Sequence, residues 1–170
     1  ATGNVSVSPA AQWYAEVRYL DRYVDDTAQV FLGLRIGCAR CHHHPFENFT
    51  QGDYYGLAAF FTRVDRRGGV GNSERRSNET IVIKASGSVR HPVTNDLVQP
   101  HVLGGPDLEI PRYADPRDRL VDWMARPDNP YFARAFVNRM WAHCFGRGLV
   151  EPIDDLRVTN PATNPALLSA

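Results

Sequence analysis

The sequence predicts a mainly α chain with a small β hairpin and a C-terminal helical hairpin. Three observations lead there. Apolar residues recur at three- and four-residue spacings in several stretches, the signature of one buried helical face. Ser8-Pro9, Asp115-Pro116, Asn129-Pro130 and Asn164-Pro165 each put a capping side chain before a proline. Such pairs start helices, because the side-chain oxygen takes a free first-turn N–H and proline has none to leave unpaired. One run rich in β-branched residues, Ile81 to Ala85, interrupts the helical pattern and reads as a strand.

Taken in order, Ser8 and Pro9 open an amphipathic helix through Ala15, Val17 and Leu20. Asp25-Asp26-Thr27 is a second start signal ahead of Val30, Phe31 and Leu34, with that helix ending near Gly37 and delivering the chain into Cys38. Pro45 breaks the chain, and Asp53 stands as N-cap of an aromatic-rich helix from Tyr54 to Phe61. Arg66 to Asn78 carries glycine and charge with almost no apolar residue, which predicts a surface loop and a boundary. Val89 to Val98, turning at Thr94-Asn95-Asp96, is the hairpin, followed by a connector rich in proline and glycine. A helix through Leu120, Trp123 and Met124 stops before Pro127, and a longer one through Phe132, Phe136, Met140 and Cys144 closes at Gly146. Asn164-Pro165 begins a last helix. The predicted organisation is a helical segment over 1–65, a loop and short β segment over 66–111, and a helical segment over 112–170 that begins a second domain.

Composition excludes several classes. The 170 residues are 43% hydrophobic and 22% charged, enough apolar bulk for a buried core. Nineteen Lys+Arg balance nineteen Asp+Glu, so no bulk charge draws the chain to nucleic acid. No apolar run approaches the roughly 18–20 residues that span a bilayer. Three cysteines are too few for a disulfide scaffold.

Two of those cysteines form the most informative feature, Cys38-Ala39-Arg40-Cys41-His42. C-x-x-C-H is the attachment signature of c-type haem, in which two thiols add to the porphyrin vinyl groups and the next residue offers its imidazole to the iron. The motif predicts one haem c per chain, held by Cys38 and Cys41 with His42 as proximal ligand, in a cytochrome-c-like helical environment. It also predicts a periplasmic or extracellular location, where thioethers are formed. The same residues with His44 are compatible with a haem-free Zn or Fe ion site, since an extended segment turns His42 and His44 to one side. A redox dithiol lacks the βαβ context it favours. His44 cannot lie opposite His42 on one haem, because residues two apart span at most about 7 Å. Candidates for a sixth ligand are Met140, His101, His143 and Met124, with His91 beside Pro92. Both methionines also fit plain core packing. An open sixth position predicts a haem enzyme instead of an electron carrier.

Weaker features read as structure. Arg139 and Arg147 with Asp154 and Asp155 predict an ion-pair network holding the last loop. Gly68-Gly69-Val70-Gly71 lacks the lysine and the strand-to-helix context of a phosphate loop.

Two longer runs carry a resemblance. Val30 to Phe46, containing Cys-Ala-Arg-Cys-His-His-His-Pro-Phe, continues to Tyr54-Tyr-Gly-Leu-Ala-Ala-Phe-Phe61 and resembles a planctomycete cytochrome-c-associated domain of large secreted proteins. Asp115 to Trp123, Asn129 to His143 and Phe145 to Val150 resemble the partner domain that usually follows it. The resemblance implies export and a redox setting, redox partner proteins or further chains of a larger assembly, and no established reaction. It maps the family motif onto Cys38, Cys41, His42, His44, Pro45 and Phe46, which implies a role for His44. It also implies that the chain is a piece spanning the junction of two longer domains.

Overall fold

A computed structural model describes residues 2–68 and 78–169. Most of the loop expected over Arg66 to Asn78, and of the glycine run within it, lies outside the described residues. The fold is mainly α with small antiparallel sheets.

The first expected helix is shorter than its pattern, and a separate helix opens at Leu20, where it was expected to end. Helix α1 spans Pro9–Glu16 and α2 spans Leu20–Thr27. The chain breaks at Val17 because its carbonyl accepts from the Arg66 guanidinium at 2.6 Å in place of a helical amide. Asp25-Asp26-Thr27 is therefore the last turn of α2 and not a start, and the Asp25 carboxylate accepts from the Tyr54 hydroxyl at 3.3 Å. Helix α2 runs on into a π-helical turn, Ala28–Leu32, that buries Ala28 and Leu32. Gly33 stops it in the left-handed region, φ 67°. The chain then crosses the core through buried Leu34 and Ile36 into a 3₁₀ turn, Gly37–Arg40.

Helix α3, Gln51–Ala59, begins three residues earlier than expected. Thr50 is its N-cap and Asp53 is the reciprocal N3 partner of a capping box: the Thr50 hydroxyl accepts from Asp53 N–H while the Asp53 carboxylate accepts from Thr50 N–H. The helix buries Tyr54, Leu57 and Ala58, and Phe60 follows them into the core. Strands β1 (Gly3–Asn4), β2 (Val64–Arg67) and β3 (Thr80–Ile83) form an antiparallel sheet in the order β1-β3-β2, with Val64 opposite Ile83 and Gly3 opposite Ile81. Strands β4 (Val89–Arg90) and β5 (Leu97–Val98) make the expected hairpin, turning through Asn95 at φ 62°.

Helix α4, Pro116–Met124, is capped by Asp115, which accepts from Arg117 N–H at 3.0 Å. Helix α5, Phe132–Phe145, starts after Asn129 has accepted from the N–H groups of Tyr131 and Phe132, and closes at Gly146. Helix α5 packs on the π-helical turn. Helix α6, Pro165–Leu168, is capped by Asn164.

One main core joins these parts. It runs from Val5 and Ala11 through Val24, Leu32, Ile36 and Leu57 to Ile81, Leu103 and Leu120. A tilted aromatic group, Trp13, Tyr14, Tyr23 and Phe61, packs beside it, with neighbouring ring centroids 4.8–5.6 Å apart. A smaller cluster of Leu149, Val150 and Leu168 sits under Trp141 and Leu156. Such burial stabilises by about 25 cal/mol per Å² of apolar surface.

Candidate functional site: the cysteine turn and its cavity

The 3₁₀ turn is held from inside. Ala39 is wholly buried and its N–H donates to Ile36 O at 2.8 Å, while Gln51 donates to Arg40 O at 2.9 Å. Arg40 also pairs with Asp21 at the start of α2. With Ala39 tucked inward, Cys38 and Cys41 both stand exposed. In a 3₁₀ turn side chains three apart eclipse, so the two thiols share one outer face.

The three histidines have separate fates. His42 is exposed and its Nδ1–H donates to His43 O at 2.7 Å, a bond that fixes the tautomer and leaves Nε2 free. His43 is exposed. His44 is half-buried with both nitrogens in use: Nε2–H donates to Arg35 O at 3.0 Å and Nδ1 accepts from Phe46 N–H at 3.2 Å. The segment is a turn and not the extended stretch that would put His42 and His44 on one side. Among the described residues no three His, Cys, Asp or Glu side chains gather as a metal-ion site.

Beside Cys38 lies a cavity of about 230 Å³. Leu34, Ile36, Phe46 and Phe49 give it apolar walls, and Arg35, Glu47, Asp155 and Arg157 a charged rim. The far wall arrives from more than a hundred residues downstream, pinned by two backbone N–H groups: Leu156 N–H donates to Gly33 O at 2.8 Å, and Val158 N–H to the Glu47 carboxylate at 2.7 Å. Asp154 accepts from Arg35 at 2.5 Å and from Gln29. Burial works to raise the Asp154 pKa, but the bonds from Gln29 and Arg35 outweigh it and hold the carboxyl below its ordinary value. Asp155 is buried and pairs with Arg157 at 3.3 Å, and the Arg157 guanidinium lies over the Phe46 ring at 5.0 Å. The Arg157 Nε is buried, with no hydrogen-bond partner among the described residues. The expected network of Arg139 and Arg147 with these aspartates is not what forms. Arg35, Gln29 and Arg157 take the carboxylates, and Arg139 turns to Val30 O at 3.3 Å.

None of the sixth-ligand candidates lines this cavity. His101 is sandwiched between carboxylates, 3.0 Å from Asp107 and 3.9 Å from Asp53, against Gly56, where a β-carbon would meet its ring at 2.4 Å. Asp53 also accepts from Gly104 N–H at 3.1 Å. Burial pushes its pKa up, but the bonds from Thr50 and Gly104 and the nearby His101 bring it below the ordinary value. Met140 and His143 are exposed on α5, and His91 accepts from Val93 and Thr94 N–H in the hairpin turn. Met124 lines a larger, apolar cavity of about 550 Å³ between α1, the π turn and α4, which none of Cys38, Cys41 and His42 reaches. Its one deeply buried charge, Arg117, is consumed by Asp115 at 2.6 Å and by the Tyr14 hydroxyl.

Sequence reasoning missed Arg35, Glu47 and the 154–158 wall. No periodicity or motif joins positions more than a hundred residues apart, and only the ion-pair network expected at Asp154 and Asp155 pointed to partners for this loop.

An outward-facing cysteine turn walled by a distant segment defines a two-part helical module. Residues 3–66 match the family model PSCyt2, a protein of unknown function (DUF1549), and residues 116–170 match PSD1, a protein of unknown function (DUF1553). The two matches support a known adjacent domain pair, and the cavity beside Cys38 lies where the two matched regions meet. Comparison with curated proteins and with solved structures finds no match. No described helix is long and apolar enough to cross a membrane.

Proposed function

We propose that the chain is an exported electron-transfer module carrying one haem c on Cys38 and Cys41, with His42 as iron ligand. The observation that carries this reading is the pair of exposed thiols on one face of a turn, followed by an imidazole whose Nδ1–H is already donated to a carbonyl. Ligating histidines characteristically make that second bond, which orients the ring and leaves Nε2 for the metal. The donor set fits the group: each thiol S–H adds across a vinyl C=C, forming an S–C bond while the proton goes to the neighbouring carbon, with no oxidant needed. The adjoining cavity supplies apolar walls and one orphaned cationic donor. Haem, when bound, supplies one-electron exchange between ferric and ferrous iron. The protein's part is to present the thiols and fix the imidazole.

The haem-free ion reading asks more of the chain. His44 would have to give up both of its hydrogen bonds, and the turn would have to become extended. His44 thus serves the loop: it ties Arg35 to Phe46 across the cavity wall.

The test is export of the chain in a host with haem-attachment machinery, followed by pyridine haemochrome spectra after denaturation. One covalent haem per chain is expected. His42→Ala abolishes the axial ligand field, and His44→Ala leaves it in place while lowering stability. A folded, exported chain with zinc or iron by elemental analysis and no haem bands overturns the proposal. Carbon monoxide binding to the native ferrous form distinguishes a catalyst with an open sixth position from a carrier.

A further inference from the structure

We infer that the apolar cavity between α1, the π turn and α4 is a binding site for a small organic cation, an amine with an aromatic or aliphatic body, whose charge is met by Asp26. The inference is independent of any group at Cys38, because none of Cys38, Cys41 and His42 lines that cavity. Its volume of about 550 Å³ falls within the range of about 300–1,000 Å³ that small-molecule sites occupy. Val30, Phe31, Val121 and Phe132 line it, and all four are exposed. Apolar side chains gathered that way in water mark a surface that a ligand covers.

Charge decides which ligand. Two charged side chains reach the wall, Asp26 and Arg117. Each nitrogen of Arg117 already donates: Nε and one terminal nitrogen to the Asp115 carboxylate, and the other terminal nitrogen to the Tyr14 hydroxyl. The pair with Asp115 is neutral as a whole, so Arg117 has no charge to offer an anionic head group. Asp26 is the opposite case. It is half-buried in the last turn of α2, and among the described residues its carboxylate makes no hydrogen bond or ion pair. The rings of Trp13, Phe31 and Phe132 act in the same direction, because the negative face of an aromatic ring attracts a cation and repels a carboxylate. An apolar body with a cationic head therefore matches both the walls and the unpaired charge, and a fatty acid matches only the walls.

The experiment is isothermal titration calorimetry of the chain with three probes that share one ring system and differ in head charge: naphthylethylammonium, naphthylethanol and naphthylacetate. The ammonium is expected to bind tightest and the acetate weakest. Asp26→Asn is expected to weaken the ammonium about fivefold, the reach of a partly exposed ion pair, and to leave the alcohol unchanged. Ala125→Trp, at an exposed wall position just after α4, fills the site without touching its charges and is expected to abolish binding of all three. Circular dichroism melts report whether each variant folds; should Ala125→Trp fail to fold, the comparison of ammonium and alcohol on Asp26→Asn decides. Equal binding of the three probes, tightest binding of the acetate, an ammonium advantage that survives Asp26→Asn, binding that survives a folded Ala125→Trp, or no binding at all overturns the assignment.

Discussion

Gly33→Ala tests whether the downstream wall is docked as tightly as its bonds imply. Gly33 sits at φ 67°, and an alanine there costs about 1–2 kcal/mol in the left-handed region. Its new methyl would lie 2.5 Å from Leu156 Cδ1, 3.0 Å from Leu156 Cγ and 3.2 Å from the Ala135 β-carbon. Overpacking of that kind costs about 1–3 kcal/mol. Stiffening of the unfolded chain returns about 0.4–1 kcal/mol, leaving a net loss of about 1–5 kcal/mol. For a chain of this size the melting temperature drops by about 2–20 °C. The assay is urea unfolding followed by circular dichroism for Gly33→Ala, Leu156→Ala and the double variant. Truncating Leu156 removes the clash but not the backbone strain, so the double variant is expected to lose less than the sum of the singles, with a coupling of about 1 kcal/mol or more. Additive losses, or a Gly33→Ala chain within about 0.5 kcal/mol of wild type, would show that Leu156 does not seat on Gly33.

Asn138→Ala in α5 leaves the carbonyls of Val150 and Ile153 and the N–H of Val150 without their partner in a wholly buried site. At about 1–3 kcal/mol per orphaned group the expected loss is about 3 kcal/mol or more, and a thermal melt unchanged by the substitution refutes it. Acid stability follows Asp53, Asp115 and Asp154, whose folded pKa values all lie below the ordinary 3.8. A depressed carboxyl contributes stability above its unfolded pKa and loses it as pH falls through the folded one. Asp25, raised by burial, acts the other way and gains stability as its carboxyl protonates. The urea midpoint should therefore fall steeply only below about pH 4. Asp154→Asn should soften that fall, and a midpoint already collapsing near pH 6 contradicts the assignment.

The sequence made the C-terminal half legible where capping is local. Asp115 and Asn164 cap the helices their spacing predicted, because an Asx side chain and a proline act within three residues of one another. Asp25-Asp26-Thr27 misled for the same reason in reverse. Its composition is that of a cap, but the Asp25 carboxylate is met by Tyr54, and the break falls at Val17, whose carbonyl is drawn off by Arg66. A side chain 49 residues away decides that boundary, and no local pattern carries it. Glu79 is a further case: it is buried between Arg18 and Arg66 at 3.0 Å from each, and nothing in its neighbours foretells burial.

The candidate site divides along the same line. Thiol presentation is local, set by Ala39 turning inward and Cys38 and Cys41 turning outward on one short turn. A five-residue motif can specify that much. What surrounds the turn is not local: Arg157 comes from beyond α5, and it arrives only because Gly33 leaves room for Leu156 and Glu47 offers a carboxylate to Val158 N–H. A short motif can thus specify how two thiols are presented but not the charges around them, which are carried in by chain that folds elsewhere. If the two matched regions were independent neighbours, the seam between them would not need a buried aspartate, a left-handed glycine and an unsatisfied arginine nitrogen beside the first region's cysteine. Their concentration at that seam is the physical reason to treat the pair as one structural unit.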